Sequence, residues 1–361
     1  MQEQNLERLI KKYIVDSVLW RPPVDRKSFI RLDLNEGNGF INRNILNQFK
    51  KIDPFVISSY PEYETLNHAL AKYCAVEEKN ICITSGSDHA IQMLVNLFFC
   101  EGDHVVIPSP TFFVYFSTLK LMGVTPQVIL YKKNEKQFVF PFEETLRSIT
   151  PKTKGLLLCN PSNPLGSSIP KDQLLKLVRK CNQYKIPIII DEAYAEFCSS
   201  SAVNLISKYS NVIIIRTFSK AFGLAGLRLG YVVADSSVIK QLTKLRLPWA
   251  VNHFAIHVGN IVLNNLSYFN NEVTRAIKRK AELAKLITKK GLSCINTGTN
   301  FLVVEVDKHE EFVNHLRKND ILVNDVSHYP HSGDLLENCI RMCIPAKKDY
   351  NKVKRTIETF L

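Results

Sequence analysis

The chain has 361 residues, long enough for one large domain and a smaller one. Hydrophobic residues make up 45% of it and charged residues 22%, as expected of a soluble globular protein. No apolar run approaches the roughly 20 residues needed to cross a bilayer. We therefore expect no membrane partner.

The formal net charge of +13 is compatible with a nucleic-acid partner. The lysines are nevertheless spread along the whole chain, several of them on predicted helix faces such as Lys278, Lys285 and Lys289. Dispersed lysines are typical of a solvated surface, and they also attract phosphorylated or carboxylate metabolites. We expect no nucleic-acid partner. A non-catalytic DNA-binding module remains the alternative from a different class.

The nine cysteines are scattered without paired spacing. Cys339 and Cys343, the closest pair, flank a predicted strand rather than a zinc knuckle. This distribution favours free thiols in a reducing compartment and predicts no metal site. The polar, acidic residues 1–7 do not resemble a signal peptide, so we expect a cytoplasmic location.

Apolar runs separated by helical segments predict the architecture. A helix over 5–19, a strand and polar loop over 30–39, and a helix beginning near residue 58 come first. Strands then alternate with helices from residue 81, which predicts an α/β fold with a doubly wound, mostly parallel sheet. The predicted strands cover residues 81–83, 105–107, 128–130, 155–159, 186–190 and 212–215.

The pattern changes after residue 233. A helix over 236–246 and a long helix over about 253–290 precede a looser alternation of strands and helices, which predicts a smaller α+β domain. We assign residues 45–250 to a large domain, and residues 1–44 and 251–361 to the small domain that the long helix joins to it.

The segment 217–230 combines phosphate-binding side chains with a lysine at the end of an apolar strand. Thr217 and Ser219 offer hydroxyls, and Arg228 offers a guanidinium fork. Lys220 lies between them, where ligands bind in open α/β sheets. A phosphate site beside a nucleophilic lysine indicates pyridoxal phosphate bound as a Schiff base. The alternative is a surface turn with an ordinary lysine.

Other strand ends carry complementary groups. Asp191 ends a very apolar strand, where a buried carboxylate needs a cationic partner such as a pyridinium N–H. Asn163 and Tyr194 are candidates to hydrogen-bond the cofactor's phenolic oxygen, and Phe112 to stack on its ring. Each residue alone has an ordinary structural explanation as a cap, a turn or a core residue.

The turn at residues 84–88 enters a helix and resembles an anion site, because free backbone N–H groups point outward there. Ordinary N-capping by Ser87 or Asp88 would give the same pattern.

Together these motifs resemble the fold-type I pyridoxal-phosphate enzymes, and most closely the histidinol-phosphate aminotransferase group. The resemblance covers nearly the whole chain and rests on Tyr60-Pro61-Glu62, Gly86-Ser87-Asp88, Asn160-Pro161-Ser162-Asn163-Pro164, Asp191-Glu192-Ala193-Tyr194, Ser219-Lys220, Gly226-Leu227-Arg228-Leu229-Gly230 and the Arg341 strand.

The resemblance implies roles for these residues. It assigns the Schiff base and a proton shuttle to Lys220, and the ring nitrogen to Asp191. It assigns the cofactor phosphate to Ser87, Ser219 and Arg228, and it includes Gly86, Asp88 and Thr217 among the cofactor-binding residues. It also implies a homodimer with shared active sites, in which Tyr60 reaches the neighbour's phosphate. Arg341 grips the substrate carboxylate, with Asn35 and Asn324 in the substrate-binding set.

Three residues depart from the group's usual pattern. Phe112 replaces a common tyrosine, and Leu165 replaces a usual threonine. Asn324 stands where the group usually has an arginine that binds the substrate phosphate, and a neutral amide cannot replace a guanidinium. His328 and His331 either compensate or are plain surface histidines.

The predicted function is therefore an aminotransferase acting on glutamate and a small phosphorylated amine or ketone. The alternative is a pyridoxal-phosphate-dependent decarboxylase of an O-phospho amino acid. The related threonine-phosphate decarboxylase shares the scaffold, and residues 247–252 and 328–330 resemble its segments.

Overall fold

The structure is a computed structural model that describes residues 10–17, 25–37, 39–134, 137–198 and 201–360. Its helices are α1 (Lys12–Val15), α2 (Arg43–Phe49), α3 (Phe55–Ser58), α4 (Glu64–Cys74), α5 (Gly86–Phe98), α6 (Phe113–Leu121), α7 (Phe142–Ser148), α8 (Lys171–Gln183), α9 (Ser236–Leu245), α10 (His253–Asn264), α11 (Leu266–Lys289), α12 (His309–Lys318) and α13 (Tyr350–Phe360). Its strands are β1 (Ile30–Arg31), β2 (Ile81–Thr84), β3 (His104–Ser109), β4 (Thr125–Leu130), β5 (Lys132–Lys133), β6 (Phe138–Val139), β7 (Thr153–Cys159), β8 (Ile188–Asp191), β9 (Val212–Thr217), β10 (Gly230–Ala234), β11 (Ser293–Asn296), β12 (Phe301–Glu305), β13 (Ile321–Leu322), β14 (Asn324–Asp325) and β15 (Cys339–Cys343).

A seven-stranded mixed sheet in the order β2-β10-β9-β8-β7-β3-β4 forms the centre of the fold. The pairs from β9 through β4 are parallel, whereas β10 runs antiparallel to both β9 and β2. From β3 the chain continues to β4 at the edge of the sheet. It later adds β7, β8 and β9 on the opposite side of β3. The boundary between β3 and β7 is thus a topological switch point, where α/β sheets bind ligands. The predicted doubly wound, mostly parallel sheet is confirmed.

Helices cover both faces of this sheet because alternate strand residues point to opposite sides. On one face Ile189, Ile213 and Ile215 pack in a cluster with side chains of α5, α6 and α9. On the other face Ile190 and Ile214 join a larger cluster that continues into the second sheet. With both faces covered, the strand ends are where polar side chains reach a ligand.

A second sheet is antiparallel and has the order β11-β12-β15-β14. The two-stranded pair β1–β13 is parallel and joins the beginning of the chain to this part of the molecule. Among the described helices, none has the length and apolar character to cross a membrane.

Three helix predictions need correction. The long helix expected over 253–290 is two helices, α10 and α11, which meet at Asn265. The helix after β2 begins at Gly86, so Ser87 and Asp88 lie in its first turn. Of the helix expected over 5–19, the described residues 10–17 show only α1 and are not helical on either side of it; residues 5–9 and 18–19, like Pro22 and Pro23, lie outside the described residues.

Candidate active site

Polar side chains follow four neighbouring strands of the central sheet. Thr217 ends β9 and Asp191 ends β8. The loop after β7 carries Asn163, and the loop after β3 carries Phe112, so the last two residues flank the switch point. Because parallel strands end at one edge, the sheet brings together the strand ends that sequence patterns single out.

Lys220 lies just beyond β9 and points toward the loop that follows β1. Its Nζ donates to the Leu34 carbonyl oxygen at 3.2 Å and lies 5.9 Å from the centre of the Tyr194 ring. Burial lowers the pKa of the Lys220 amine. A lowered pKa increases the fraction of neutral amine, which is the nucleophilic form.

Asp191 is a buried carboxylate without an ion-pair partner in the described part of the chain. It is 2% exposed; its Oδ1 accepts from the Ala193 N–H at 2.9 Å and its Oδ2 from the Tyr115 hydroxyl at 3.1 Å. Burial raises the pKa of the Asp191 carboxyl to about 6. Sequence patterns missed Tyr115, since a tyrosine within an apolar helix gives no signal of its polar contact.

Asn35, Tyr194 and Asn163 form a buried hydrogen-bonded cluster. Asn35 Nδ2 donates to the Tyr194 hydroxyl at 2.8 Å and to Asn163 Oδ1 at 3.4 Å. Cys343 Sγ, 3.5 Å from Asn35 Oδ1, donates to it and thereby fixes the direction of the amide. The Tyr194 proton is then available to another acceptor, as is the Asn163 NH₂ group. Cys343 is a further residue that the sequence did not identify.

Arg341 on β15 is 4% exposed and is held by oxygen acceptors. Nη1 donates to Asn163 Oδ1 at 2.5 Å and Nη2 to the Asp33 carbonyl oxygen at 2.9 Å, whereas Nε has no partner among the described residues. Asn324 is opposite Arg341 in the β14–β15 register, and the amide orientation that satisfies both of its ends turns its oxygen toward Nη2 at 2.8 Å. The two predicted substrate residues are therefore neighbours.

The start of α5 and the segment after β9 approach each other closely. Arg228 Nη2 donates to Asp88 Oδ2 at 2.9 Å, and a Cβ on Gly86 would lie only 2.6 Å from Nη2. Asp88 therefore pairs with Arg228 and does not cap the helix; Ser85 occupies the cap position. Nearby, Thr217 Oγ1 and Ser219 Oγ are hydrogen-bonded at 3.0 Å.

The glycines of the lysine segment differ in what they permit. Gly223 has φ +68°, and a Cβ there would lie 2.8 Å from the Gly37 carbonyl oxygen. A Cβ on Gly37 would lie 2.4 Å from the Lys220 carbonyl oxygen, so these two loops touch through their backbones. Gly226 has no positive φ, and a Cβ there would meet nothing within 4 Å among the described residues.

Phe112 and Tyr60 lie at the periphery. Phe112 precedes α6, and its ring contacts Phe113 edge to face with centroids 5.2 Å apart. Tyr60 lies between α3 and α4, is 71% exposed and stacks on Trp249 with centroids 4.1 Å apart. His328 and His331 are exposed, and His331 stacks on Phe116.

These residues fit the chemical groups of pyridoxal phosphate. Asp191 is buried and lacks the cation that a protonated ring nitrogen would provide. Lys220 has an amine of lowered pKa, and Arg228 lies beside the free N–H groups at the start of α5. A carboxylate for the ring nitrogen, an amine for the Schiff base and a cation for the phosphate are therefore present along one sheet edge.

Comparison with known proteins identifies an aminotransferase family. The family model for aminotransferase class I and II matches residues 32–360. Histidinol-phosphate aminotransferase of Ruminiclostridium cellulolyticum is 30% identical over 87% of this chain and 88% of its own length.

Solved structures share the fold. Histidinol-phosphate aminotransferase from Sinorhizobium meliloti, in complex with pyridoxal-5'-phosphate, superposes with a TM-score of 0.84 at 20% identity and covers 98% of both chains. L-threonine-O-3-phosphate decarboxylase from Porphyromonas gingivalis gives a TM-score of 0.75 at 22% identity, over 92% of this chain and 99% of that one. At these identities the likenesses concern the fold alone. On the family match, the chain belongs to the class I and II aminotransferases and is a pyridoxal-phosphate-dependent aminotransferase.

Proposed function

We propose that this enzyme transfers an amino group between glutamate and a small phosphorylated amine or ketone of the histidinol-phosphate type. The observation that carries the proposal is Arg341. Its guanidinium is buried, has no ion-pair partner in the described residues and leaves Nε unpaired. A buried cation of this kind needs an anion, and a substrate carboxylate supplies one.

Lys220 and Asp191 have different chemical roles. Lys220 would hold the cofactor covalently through its amine and would carry a proton to and from the substrate carbon. Asp191 would stay ionised beside the ring nitrogen and hold it in its protonated form. When bound, pyridoxal phosphate supplies a ring that accepts the electron pair released at the substrate carbon.

The remaining residues orient the cofactor. Tyr194 and Asn163 direct their free protons to its phenolic oxygen, because Asn35 and Arg341 occupy their acceptor atoms. Phe112 would stack on the ring. Arg228, the hydroxyls of Thr217 and Ser219, and the first turn of α5 with Gly86, Ser87 and Asp88 would hold the phosphate.

The substrate phosphate has an unusual environment in this proposal. Asn324 is neutral and its amide is bound to Arg341. The next basic residues after it in the sequence are His328 and His331, both exposed. We propose that one of these histidines takes the phosphate, while Asn324 and Asn35 border the substrate.

We also propose a cytosolic homodimer in which Tyr60 completes the partner's site. Ile57, Tyr60 and Leu247 are 77%, 71% and 72% exposed. Exposed apolar side chains mark association surfaces where they form a contiguous patch, and we propose that these residues belong to one. All nine cysteines are free, in keeping with a reducing compartment.

The test is a reaction of the cofactor-loaded protein with glutamate alone, followed by absorbance. A transaminase converts its cofactor to the amine form and releases 2-oxoglutarate. Ketones with and without a phosphate group are then compared as amino acceptors, and we expect the phosphorylated ones to react faster. Absence of any reaction with glutamate, together with CO₂ release from O-phosphothreonine, would replace the proposal with a decarboxylase.

A further inference from the structure

Lys280 is a buried lysine on α11 that the proposed chemistry does not use. Its side chain is 3% exposed, and within the described residues it makes no ion pair. Nζ donates to the carbonyl oxygens of Thr297 and Thr299, the second at 2.5 Å. Burial lowers the pKa of this amine to about 8. Burying an amine without hydrogen-bond partners costs free energy, and the two carbonyl contacts offset part of that cost.

The loop that Lys280 holds, residues 297–300, joins β11 to β12 and packs against the loop bearing Asn163. The Gly298 N–H donates to the Gly166 carbonyl oxygen at 3.0 Å. Gly166 has φ +75°, and a Cβ there would lie 2.2 Å from Thr297 Cβ. Movement of the 297–300 loop would therefore displace residue 166 and the turn that it closes.

The other end of this loop reaches the amide cluster. Asn300 Nδ2 donates to the Asn35 carbonyl oxygen at 3.1 Å, and the Asn300 carbonyl oxygen accepts from the Ile344 N–H at 2.9 Å. Asn35 in turn donates to the Tyr194 hydroxyl. An unbroken series of contacts thus runs from Lys280 to Tyr194.

We propose that Lys280 is a positioning residue for the active site: by fixing the 297–300 loop it sets the orientation of Asn35 and, through it, of the Tyr194 hydroxyl. The proposal rests on the proposed function in one respect, since it takes Tyr194 as a donor to the cofactor's phenolic oxygen. Lys280 itself touches neither cofactor nor substrate.

The test compares Lys280→Met, which keeps the length of the side chain and removes its donors, with Asn300→Ala, which cuts the same path at its other end. Lys278→Met is the matched control, because Lys278 is an exposed lysine on the same helix. The readouts are the pH midpoint of the bound cofactor's absorbance change and the rate of its conversion by glutamate.

Both path variants should raise the pH midpoint, because a weaker hydrogen bond to the phenolic oxygen disfavours its charged form. Both should slow conversion by roughly two- to thirtyfold, and the double variant should be no slower than the slower single one. Lys278→Met should match the wild type in both readouts.

Wild-type midpoint and rate in a folded Lys280→Met protein would overturn the proposal, as would effects that multiply in the double variant. If Lys280→Met does not fold, Asn300→Ala decides by the same readouts. A wild type that ignores glutamate would refute the proposed function, and the pH midpoint would still decide the role of Lys280.

Discussion

Asp191 is a carboxylate that the fold buries at a cost in stability. Its pKa of about 6, above the ordinary 3.8, means that the folded cofactor-free protein binds this proton more tightly than the unfolded chain does. The cost is therefore absent below pH 4, grows as the pH rises through the interval from 4 to 6, and is complete above it. A bound cation beside the carboxylate would remove this cost.

We predict that Asp191→Asn makes the cofactor-free protein more stable at pH 7.5, by up to about 3 kcal/mol in the free energy of unfolding. The same substitution should severely reduce activity, because a neutral amide no longer keeps the ring nitrogen protonated. Urea unfolding at pH 7.5 and pH 4.5 measures the first effect, and the advantage should shrink at the lower pH. An equal or lower stability at pH 7.5, or near-normal turnover, would contradict this role.

At the scale of elements, the loop after β1 and the turn after β9 pack backbone against backbone. Gly37 faces the Lys220 carbonyl oxygen, and the Lys220 amine donates to the Leu34 carbonyl oxygen of the same loop. Residues 37 and 220 are 183 positions apart in the sequence but are in contact in the fold. The position of Lys220 therefore depends on both loops.

Gly37→Ala should separate these loops, since its methyl group would lie 2.4 Å from backbone oxygen. We expect a loss of about 1–3 kcal/mol in the free energy of unfolding and weaker cofactor retention, measured by dialysis and absorbance. Gly226→Ala is the control, because no described residue lies within 4 Å of its added Cβ and its φ is not positive. Equal effects of the two substitutions would show that the contact between the loops is unimportant.

At the scale of the whole molecule, the proposed dimer involves the surface around Tyr60. Tyr60 is stacked on Trp249 at the surface, and Ile57 and Leu247, three and two residues from this pair in the sequence, are also exposed. In a two-fold dimer each subunit would donate its tyrosine to the other's site. The alternative is that this aromatic pair stays within its own chain.

Mixing two impaired variants, Tyr60→Ala and Lys220→Ala, tests the shared site. A heterodimer would carry both defects in one site and neither in the other, so activity should partly return after subunit exchange. The residual rate of Tyr60→Ala alone is subtracted. Confirmed exchange without any return of activity would place Tyr60 outside the partner's site.

The strands were predictable because their apolar runs are short and bounded, and residues such as Asp191 and Thr217 stand where these runs end. The break at Asn265 was not, since apolar residues continue through it at helical spacing. Contacts such as those of Tyr115, Cys343 and Lys280 join residues far apart in the chain and leave no local pattern. The proposed domain limits remain a prediction.

The central claim is that Lys220 holds the cofactor, and borohydride reduction of the holoenzyme followed by peptide mass spectrometry tests it most directly. The account predicts a bleached absorbance and a reduced cofactor adduct on the peptide that contains Lys220, with no adduct in Lys220→Ala. Lys280, also buried and also of lowered pKa, serves as the internal control and should remain unmodified. An adduct on any other lysine of the wild-type protein would contradict the account.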